Sequence, residues 1–298
     1  MKYIVGRDDF LLKNTAITLG KFDGIHIGHQ LLINEIKNDG LLSVVFTFMQ
    51  SEDSKYIYSE SEKRRLLEEL GIDVCICFPF DNNTKNISAE QFIQDILIDR
   101  LDVKKIVVGS DFRFGKNRIG DGKLLKKLSS IYGYDVHIFD KIKNNSGEEV
   151  SSNMIRNLIT ESKMEKVTES LGRPFSISGV INRGRQLGRT MGFPTINIIP
   201  DNLKILPLNG VYASDIVFDD EKGTIYKGIT NIGNNPTVAD GLGKTIETNI
   251  FDFNKDVYGK SAVVYLKKYI RGEKKFSSLD ELKHNIEKDK KEAMLLKI

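Results

Sequence analysis

His26 and His29 are the first residues of the sequence whose types and spacing suggest chemistry. They close the segment Gly20-Lys-Phe-Asp-Gly-Ile-His-Ile-Gly-His29, which follows a β-branched run and leads into the helical pattern of residues 30–36. Glycines permit a tight turn, and a helix N-terminus offers free backbone N–H groups and the positive end of the helix dipole. Because two imidazoles one turn apart would add donors, we predict a polyphosphate site rather than a metal site; two ordinary surface histidines are the alternative. The candidates here are His26 and His29 as catalytic residues, and Gly20, Phe22, Gly24 and Gly28 as nucleotide-binding residues.

A second polar group opens a later helix. The segment Glu149-Val-Ser-Ser-Asn-Met-Ile-Arg156 offers Ser151 or Ser152 as the helix N-cap, and Arg156 could reach back toward an anion held at that end. A plain capped helix is the simpler alternative. We therefore treat Ser152 as a candidate nucleotide-binding residue and Arg156 as a candidate catalytic residue.

Aromatic and charged residues alternate in the loop between these two groups. Val107-Val-Gly-Ser-Asp-Phe-Arg-Phe-Gly115 reads as a strand end that opens into a loop, where ligands bind in open parallel sheets. Aromatic rings beside arginine suit a flat ring that carries a phosphate, although Phe112 and Phe114 could simply pack the loop. Asp111, Phe112 and Arg113 are the candidate ligand-binding residues.

The second half of the chain begins with a glycine-rich segment of another kind. Residues 179–197 contain spaced glycines, with Gly184 and Arg189 as candidates to contact phosphate, but neither a Walker loop nor a dinucleotide fingerprint. Pro194-Thr-Ile-Asn197 is more informative, because Thr195 and Asn197 point the same way on a strand. Their hydroxyl and amide oxygens are hard ligands appropriate to Mg²⁺ that is otherwise held by phosphates and water.

The elements that must position these residues differ between the two halves. The first half alternates short β-branched runs with amphipathic stretches, which predicts a parallel sheet covered by helices. Its strands are predicted at Ala16–Leu19, Val44–Phe48, Val74–Phe78, Ile106–Val108 and Asp135–Phe139. After Gly172 six alternating segments predict a compact barrel, followed by a charged helix. These segments are Ser176–Asn182, Thr195–Ile199, Val211–Phe218, Thr224–Asn231, Thr245–Phe251 and Ala262–Tyr269.

Three capping-box patterns predict where helices begin. Ser59-Glu-Ser-Glu62, Ser88-Ala-Glu-Gln91 and Ser278-Leu-Asp-Glu281 each have the capping-box pattern. We place the domain boundary between residues 171 and 172, where the hydrophobic period changes. Cys75 and Cys77 share one face of a strand and are predicted to be buried free thiols.

Composition excludes several classes of partner. The 298 residues carry 44 basic and 41 acidic side chains, a net charge of +3, with the signs interleaved, so nucleic acid is not an expected partner. The longest apolar run, residues 41–49, is far below the ~20 residues that cross a bilayer. The N-terminus lacks a signal-peptide pattern, so we expect a cytoplasmic protein with small-molecule substrates and no membrane contact. The sequence leaves the oligomeric state open.

Taken together, the first three segments resemble the nucleotidyltransferase module of bacterial bifunctional riboflavin kinase/FAD synthetases. That family's pattern is Gly-x-Phe-Asp-Gly-x-His-x-Gly-His, then Val-Gly-x-Asp-Phe-x-Phe-Gly, then Ser-Ser-Thr-x-Ile-Arg. The chain departs at Asn153, where the family usually has Thr, and after Phe48, where Met-Gln-Ser-Glu-Asp replaces a Pro-His-Pro element. The resemblance implies a Rossmann-like domain over residues 1–171 that transfers the adenylyl group of ATP to FMN. Asp111, Phe112 and Arg113 would then bind the flavin.

The second half resembles the riboflavin kinase module of the same family. Residues 245–259 are similar to the motif Glu-x-x-x-x-Asp-Phe-x-x-Asp-Tyr-Gly, which implies that Glu247 is the base for a ribityl hydroxyl, a poor nucleophile until it is deprotonated. An isolated glutamate on a strand is otherwise usually a solvated residue. The resemblance also implies nucleotide contact by Tyr258 and flavin contact by Arg271 and Phe276. The chain departs from the commoner family residues at Asn235 and Val238.

The sequence thus predicts an enzyme of flavin cofactor synthesis with two activities and Mg²⁺ as cofactor. Residues 172–298 would form a six-stranded kinase barrel that converts riboflavin and ATP to FMN, and the first domain would convert FMN and ATP to FAD. Two alternatives stay open. One is a kinase whose transferase half has decayed, given Asn153, and the other is a flavin- or nucleotide-binding regulator without turnover.

Overall fold

The computed structural model describes residues 1–7, 9–37, 40–50, 54–183, 193–221, 223–234 and 244–296. The candidates Gly184 and Arg189 and the departures Asn235 and Val238 lie outside these ranges. Contacts divide the chain into two compact units, Met1–Ser152 and Asn153–Ile298. The predicted boundary between residues 171 and 172 falls later in the chain, and it stays a prediction about where the two domains meet.

The first unit contains a six-stranded sheet in which every neighbouring pair is parallel. Its strand order is β1-β4-β3-β2-β5-β8, and a two-stranded ribbon, β6-β7, lies outside it. The strands of this unit are β1 (Lys2–Val5), β2 (Thr15–Leu19), β3 (Leu42–Phe48), β4 (Val74–Phe78), β5 (Val103–Gly109), β6 (Arg113–Phe114), β7 (Gly120–Asp121) and β8 (Asp135–Phe139). Every residue of β2 and β4 is buried, as expected for inner strands covered on both faces.

The order of the strands creates a switch point in this sheet. The chain runs from β2 to its neighbour β3 on one side, whereas β5 pairs with β2 on the other side. In open parallel sheets the crevice at such a point, beyond the carboxyl ends of the strands, is where ligands bind. The loops that follow β2 and β5 carry the predicted histidine and aromatic candidates, so both begin at this edge.

Helices of the first unit begin where the sequence indicates. The capping boxes at Ser59 and Ser88 are both formed, with each serine side chain and the side chain three residues later exchanging hydrogen bonds with backbone N–H groups. The second box opens a short helical turn that continues as a π-helix over Phe92–Ile98. The helices are α1 (Ile27–Glu35), α2 (Glu60–Glu69), α3 (Asn82–Asn86), α4 (Ala89–Gln91) and α5 (Gly122–Tyr132).

The second unit is built around a closed antiparallel barrel with the order β10-β13-β12-β11-β14-β9. The barrel strands are β9 (Phe175–Asn182), β10 (Thr195–Ile198), β11 (Gly210–Phe218), β12 (Tyr226–Asn234), β13 (Lys244–Ile250) and β14 (Ser261–Arg271). Inside it, buried hydroxyls form a chain across three strands: Ser214 Oγ lies 2.7 Å from Thr230 Oγ1, which lies 2.9 Å from Thr248 Oγ1. The predicted fold class, a parallel sheet followed by a six-stranded barrel with a terminal helix, is confirmed.

Among the described residues, the remaining helices are α6 (Ser152–Thr160), α7 (Met164–Leu171) and α8 (Leu279–Met294). The predicted capping box at Ser278 is only half formed. Ser278 Oγ accepts from the Glu281 N–H, but the Glu281 carboxylate accepts from the N–H of Ser277 rather than from that of Ser278. Within the described ranges, no helix combines the length and the apolar character that a membrane span requires.

Candidate active sites

The two histidines meet at the start of α1. His26 is the N-cap, and its Nδ1 accepts a hydrogen bond of 3.3 Å from the backbone N–H of His29. The two rings stack with centroids 3.6 Å apart. Since Nδ1 of His26 is an acceptor, the ring proton of the neutral imidazole lies on Nε2, which makes Nε2 a donor. The backbone N–H of His29 is therefore bonded to His26. The sequence had suggested that free N–H groups at this helix start would bind the ligand.

Backbone shape in the preceding loop explains its glycines. Phe22, Gly24 and Ile25 have φ values of 49°, 88° and 42°, in the left-handed region that glycine adopts most easily. A Cβ on Gly28 would come within 3.2 Å of the His26 ring, so this glycine makes room for the imidazole. Phe22 is buried and meets the His29 ring edge to face at 5.1 Å. The predicted nucleotide-binding residues of the loop thus include several that shape the histidine pair.

Asp23 joins three segments around this loop, a role that sequence reasoning missed. Its carboxylate accepts a 2.9 Å hydrogen bond from the Ile57 N–H, and its backbone oxygen accepts one of 2.8 Å from the hydroxyl of Ser152. Ser152, the predicted nucleotide contact, therefore lies at the histidine loop. Asp23 belongs to the segment over residues 20–29, so the sequence contained a signal for it. A motif alone, however, does not show which of its residues bind ligand and which hold the loop together.

The loop after β5 holds the predicted flavin contacts of the first unit. Phe112 and Phe114 stack at 5.5 Å, and Phe114 is buried in the sheet's core, as the loop-packing alternative requires. Asp111 and Arg113 are exposed, and Asp111 lies 3.5 Å from Lys141 Nζ. A hydrogen bond to Glu149, together with the nearby Asp111, raises the pKa of Lys141 above its ordinary value. This lysine connects the loops after β5 and β8.

Arg156 lies on α6, which the contacts group with the second unit. Its Nη1 donates to Oδ1 of Asn153 at 3.3 Å. The side chain at the position where the chain departs from the family pattern thus contacts the predicted catalytic arginine. The role of Arg156 stays a prediction.

The outer face of the barrel brings the kinase candidates together. Asn197 on β10 lies directly opposite Glu247 on β13, and Thr195 lies opposite Asn249 in the same register. Opposed residues of an antiparallel pair point to the same face, and so do residues two apart on one strand. Ile246 and Thr248 point into the barrel and are fully buried, whereas Glu247 is exposed. Thr195, Asn197 and Glu247 therefore share one surface.

This surface fits Mg²⁺ that comes with a nucleotide. It offers a hydroxyl, an amide oxygen and one carboxylate, which are hard oxygen ligands but too few for a dedicated protein cage. Among the described residues, no group of three or more His, Cys, Asp or Glu could hold a metal ion. A cation at Thr195 and Asn197 would thus need phosphate oxygens or water as further ligands.

A cavity of about 310 Å³ adjoins this surface at the end of β13. Thr195 lines it, together with the loop over residues 253–258 that includes the predicted nucleotide contact Tyr258. Arg183, which the sequence analysis did not single out, places its guanidinium carbon 5.3 Å from the centre of the Tyr258 ring. Lys255 also lines the cavity, and its hydrogen bond to Glu221 raises its pKa. The cavity lining thus includes the Tyr258 ring and the cationic Lys255, and Arg183 lies against that ring.

The two predicted flavin contacts of the barrel unit, Arg271 at the end of β14 and Phe276 just after it, lie side by side. The guanidinium carbon of Arg271 is 5.6 Å from the ring centre of Phe276, a cation–π distance. The Arg271 guanidinium also donates to the carboxylate of Asp289 on α8. The structure therefore places Arg271 beside Phe276, as it places His26 beside His29, while the roles of these residues stay predictions.

These features are those expected of a nucleotide-dependent transferase with one candidate site on a parallel sheet and another on a barrel. Two family models match the chain, one described as FAD synthetase over residues 10–154 and one described as Riboflavin kinase over residues 171–296. The chain belongs to the family of bifunctional riboflavin kinase/FMN adenylyltransferases, and the predicted family and enzyme class are confirmed.

Relatives of that description match almost the whole chain. The Bifunctional riboflavin kinase/FMN adenylyltransferase of Escherichia coli (strain K12) is 36% identical over 286 residues, which is 92% of this chain and 90% of the relative. The Bacillus subtilis (strain 168) protein of the same name is 34% identical, over 94% of this chain and 92% of the relative. The crystal structure of "Macrolide-efflux Protein from Streptococcus pneumoniae" is 27% identical with a TM-score of 0.87 and covers 100% of both chains, so the two share their fold.

Proposed function

We propose that the two activities of the family reside at two separate sites in this chain. The barrel surface around Glu247 phosphorylates riboflavin to FMN, and the histidine site at the start of α1 adenylylates FMN to FAD. The observation that carries the proposal is the register of β10 and β13, which sets Glu247 directly opposite Asn197 and on the face of Thr195. A regulator that only bound flavin would not need a carboxylate base beside two Mg²⁺ ligands.

At the barrel, Glu247 acts as the general base. It takes the proton of the ribityl hydroxyl, whose oxygen then bonds to the γ-phosphorus of ATP while the bond from that phosphorus to the leaving ADP oxygen breaks. Thr195 and Asn197 would hold Mg²⁺, which neutralises phosphate charge when bound. Tyr258, which lines the adjoining cavity, and Arg183, which lies against the Tyr258 ring, bind the nucleotide, and Arg271 and Phe276 bind the flavin. Gly184 and Arg189 stay predicted phosphate contacts.

At the sheet, no base is needed. The FMN phosphate oxygen is already anionic; it bonds to the α-phosphorus of ATP as the bond to pyrophosphate breaks, so the protein chiefly positions the reactants and stabilises the leaving group. His26 contributes its Nε2–H, which the hydrogen bond at Nδ1 leaves as the donor. His29 stacks on it, and Gly20, Phe22, Gly24 and Gly28 shape the loop. Ser152 contacts the phosphates, Asp111, Phe112 and Arg113 contact the flavin, and the catalytic role of Arg156 stays a prediction.

The direct test is incubation of the purified chain with riboflavin, ATP and Mg²⁺, with separation of the flavins over time. We expect FMN and then FAD. Formation of FMN alone would support the single-activity kinase. If neither FMN nor FAD forms, the proposal is refuted. The expected reaction uses only small molecules; a cytoplasmic location and the absence of nucleic acid stay predictions of the sequence.

Two variants assign the reactions to their sites. Glu247→Gln should lower FMN formation by about 10²-fold or more, as loss of a general base does, and should leave the conversion of added FMN to FAD intact. His29→Ala should lower the conversion of added FMN to FAD and should leave FMN formation intact. Loss of both reactions in either variant would contradict separate sites.

A further inference from the structure

The segment that joins β14 to α8 is fixed to that helix at two points. The Arg271 guanidinium donates to Asp289, with distances of 3.1 Å from Nε to Oδ1, 3.2 Å from Nε to Oδ2 and 2.7 Å from Nη2 to Oδ2. Lys274 and Ser277 bind Glu281 instead. Hydrogen bonds from Lys274 and Ser277 lower the pKa of Glu281 to about 2. Both ends of the short segment are therefore held by carboxylates of α8.

Asp289 stands out because it is a buried acid. Only 3% of it is exposed, and it shares the buried side of α8 with Ala293, four residues later. A buried carboxylate is stable only when it is paired, and replacing a buried ion pair by apolar residues is often neutral or stabilising. Stability alone therefore gives a weak reason for an acid at this position.

The geometry of the pair supplies a stronger reason. With Nε and Nη2 both bonded to Asp289, the guanidinium plane of Arg271 cannot rotate freely about its stem. The remaining nitrogen, Nη1, donates to the backbone oxygen of Gly272 at 3.1 Å. In this orientation the guanidinium lies against the Phe276 ring, whose other cationic neighbour is Lys274 Nζ at 5.7 Å. The result is a fixed surface of one aromatic ring and one planar cation.

We propose that Asp289 is a positioning residue for riboflavin binding and acts through Arg271. It does not contact the flavin; it fixes the plane of the guanidinium so that Arg271 and Phe276 receive the flat ring system without having to be ordered first. This inference rests on the proposed function of the barrel.

The test compares two substitutions on the same helix. Asp289→Asn keeps the shape of the side chain and removes its charge, while Glu292→Gln removes the charge of an acid three residues later whose Oε1 binds Lys268 Nζ at 3.0 Å. We expect Asp289→Asn to raise the riboflavin KM and the riboflavin Kd, measured by quenching of flavin fluorescence, by about tenfold, with less than a threefold change in kcat. Glu292→Gln should match the wild type.

A double-substitution cycle separates positioning from general support. If Asp289 acts through Arg271, then Asp289→Asn should change the riboflavin KM less than twofold in an Arg271→Ala background. An equal rise of KM in both backgrounds would overturn the proposal, as would an Asp289→Asn enzyme that binds riboflavin like Glu292→Gln.

Two controls keep these outcomes decisive. Conversion of added FMN to FAD and the thermal midpoint report whether the variant is folded. If Asp289→Asn does not fold, Arg271→Lys decides, because lysine keeps the positive charge for Asp289 but lacks the planar fork; an unchanged riboflavin Kd would then refute the role of a fixed guanidinium. A wild-type chain that neither binds nor phosphorylates riboflavin would refute the proposed function instead.

Discussion

Gly28 has two opposing effects on the start of α1, the proposed transferase site. As a glycine in the first turn of α1 it disfavours the helix relative to alanine, by up to roughly 1 kcal/mol. Its missing Cβ, however, leaves the space that the His26 ring occupies, since a Cβ would lie only 3.2 Å from two ring atoms. The ring must stay there for Nδ1 to cap the His29 N–H. Helix stability and imidazole placement therefore favour different residues at this position.

Gly28→Ala should separate these effects. We expect FAD formation from FMN to fall about tenfold, because a displaced imidazole no longer meets the phosphates, while the thermal midpoint stays equal or rises. FMN formation should not change. Asn34→Ala, at an exposed position of the same helix, is the matched control and should leave both reactions unchanged. An unimpaired Gly28→Ala transferase would show that the position of the His26 ring does not limit the reaction.

The sequence placed Thr195 and Asn197 on one face of a strand, but it did not show which other candidate lies beside them. Glu247 could be assigned to the face of Thr195 and Asn197 only after the register of β10 and β13 was known, because strand pairing is a long-range property. Asp289 gave no signal, since an acid in a charged helix resembles a solvated residue. Its burial depends on how α8 packs, which the local pattern does not determine.

At the scale of elements, strands with strong patterns were predicted within a few residues. β4 and β8 match the predicted ranges, because both begin and end at clear changes of residue type. β1 was missed, since Lys2–Val5 is a short edge strand whose apolar run is too brief to separate from a loop. The π-helix after Ser88 was also missed, because a capping box predicts where a helix begins and not its later hydrogen-bond pattern.

The hydroxyl chain inside the barrel is a property of three strands together. Thr230 lies at its centre and bonds both Ser214 and Thr248, and all three residues are buried. Hydroxyls in an apolar interior destabilise the fold unless they are hydrogen-bonded. Each of these three buried hydroxyls is therefore tolerated inside the barrel because another hydroxyl of the chain is hydrogen-bonded to it.

Thr230→Val should lower the stability of the barrel. The substitution keeps the shape but leaves the hydroxyls of Ser214 and Thr248 without their shared partner, which costs about 1–3 kcal/mol. In thermal unfolding we expect the midpoint to fall by several degrees, whereas Thr224→Val at an exposed position should shift it little. Equal midpoints for the two variants would mean that the chain of hydroxyls contributes nothing to stability.

At the scale of the whole molecule, the two units can be followed separately. The chain has two cysteines, Cys75 and Cys77, and both lie fully buried on β4 of the first unit. Their predicted state as free thiols is confirmed. Reaction of these thiols with a maleimide therefore reports opening of the parallel sheet and not of the barrel.

Burial of these thiols also makes the first unit sensitive to alkaline pH. Burial raises the pKa of Cys75 to about 12 and that of Cys77 above its ordinary value, whereas an unfolded cysteine titrates near ~8.5. The unfolded state therefore loses protons first as pH rises, and stability that is fully present below ~8.5 declines above it, by roughly 1 kcal/mol at pH 9 for Cys75.

The measurement counts the thiols that a short maleimide pulse modifies at increasing urea concentrations. We expect the midpoint of this labelling curve to lie at a lower urea concentration at pH 9 than at pH 7. The pH shift should be smaller in Cys75→Ala, in which Cys77 remains the reporter of the same strand. Tyrosines contribute little at pH 9, since they titrate near ~10 when unfolded. A midpoint shift of the same size in both proteins would assign the alkaline sensitivity to other groups and would exclude the Cys75 thiol as its source.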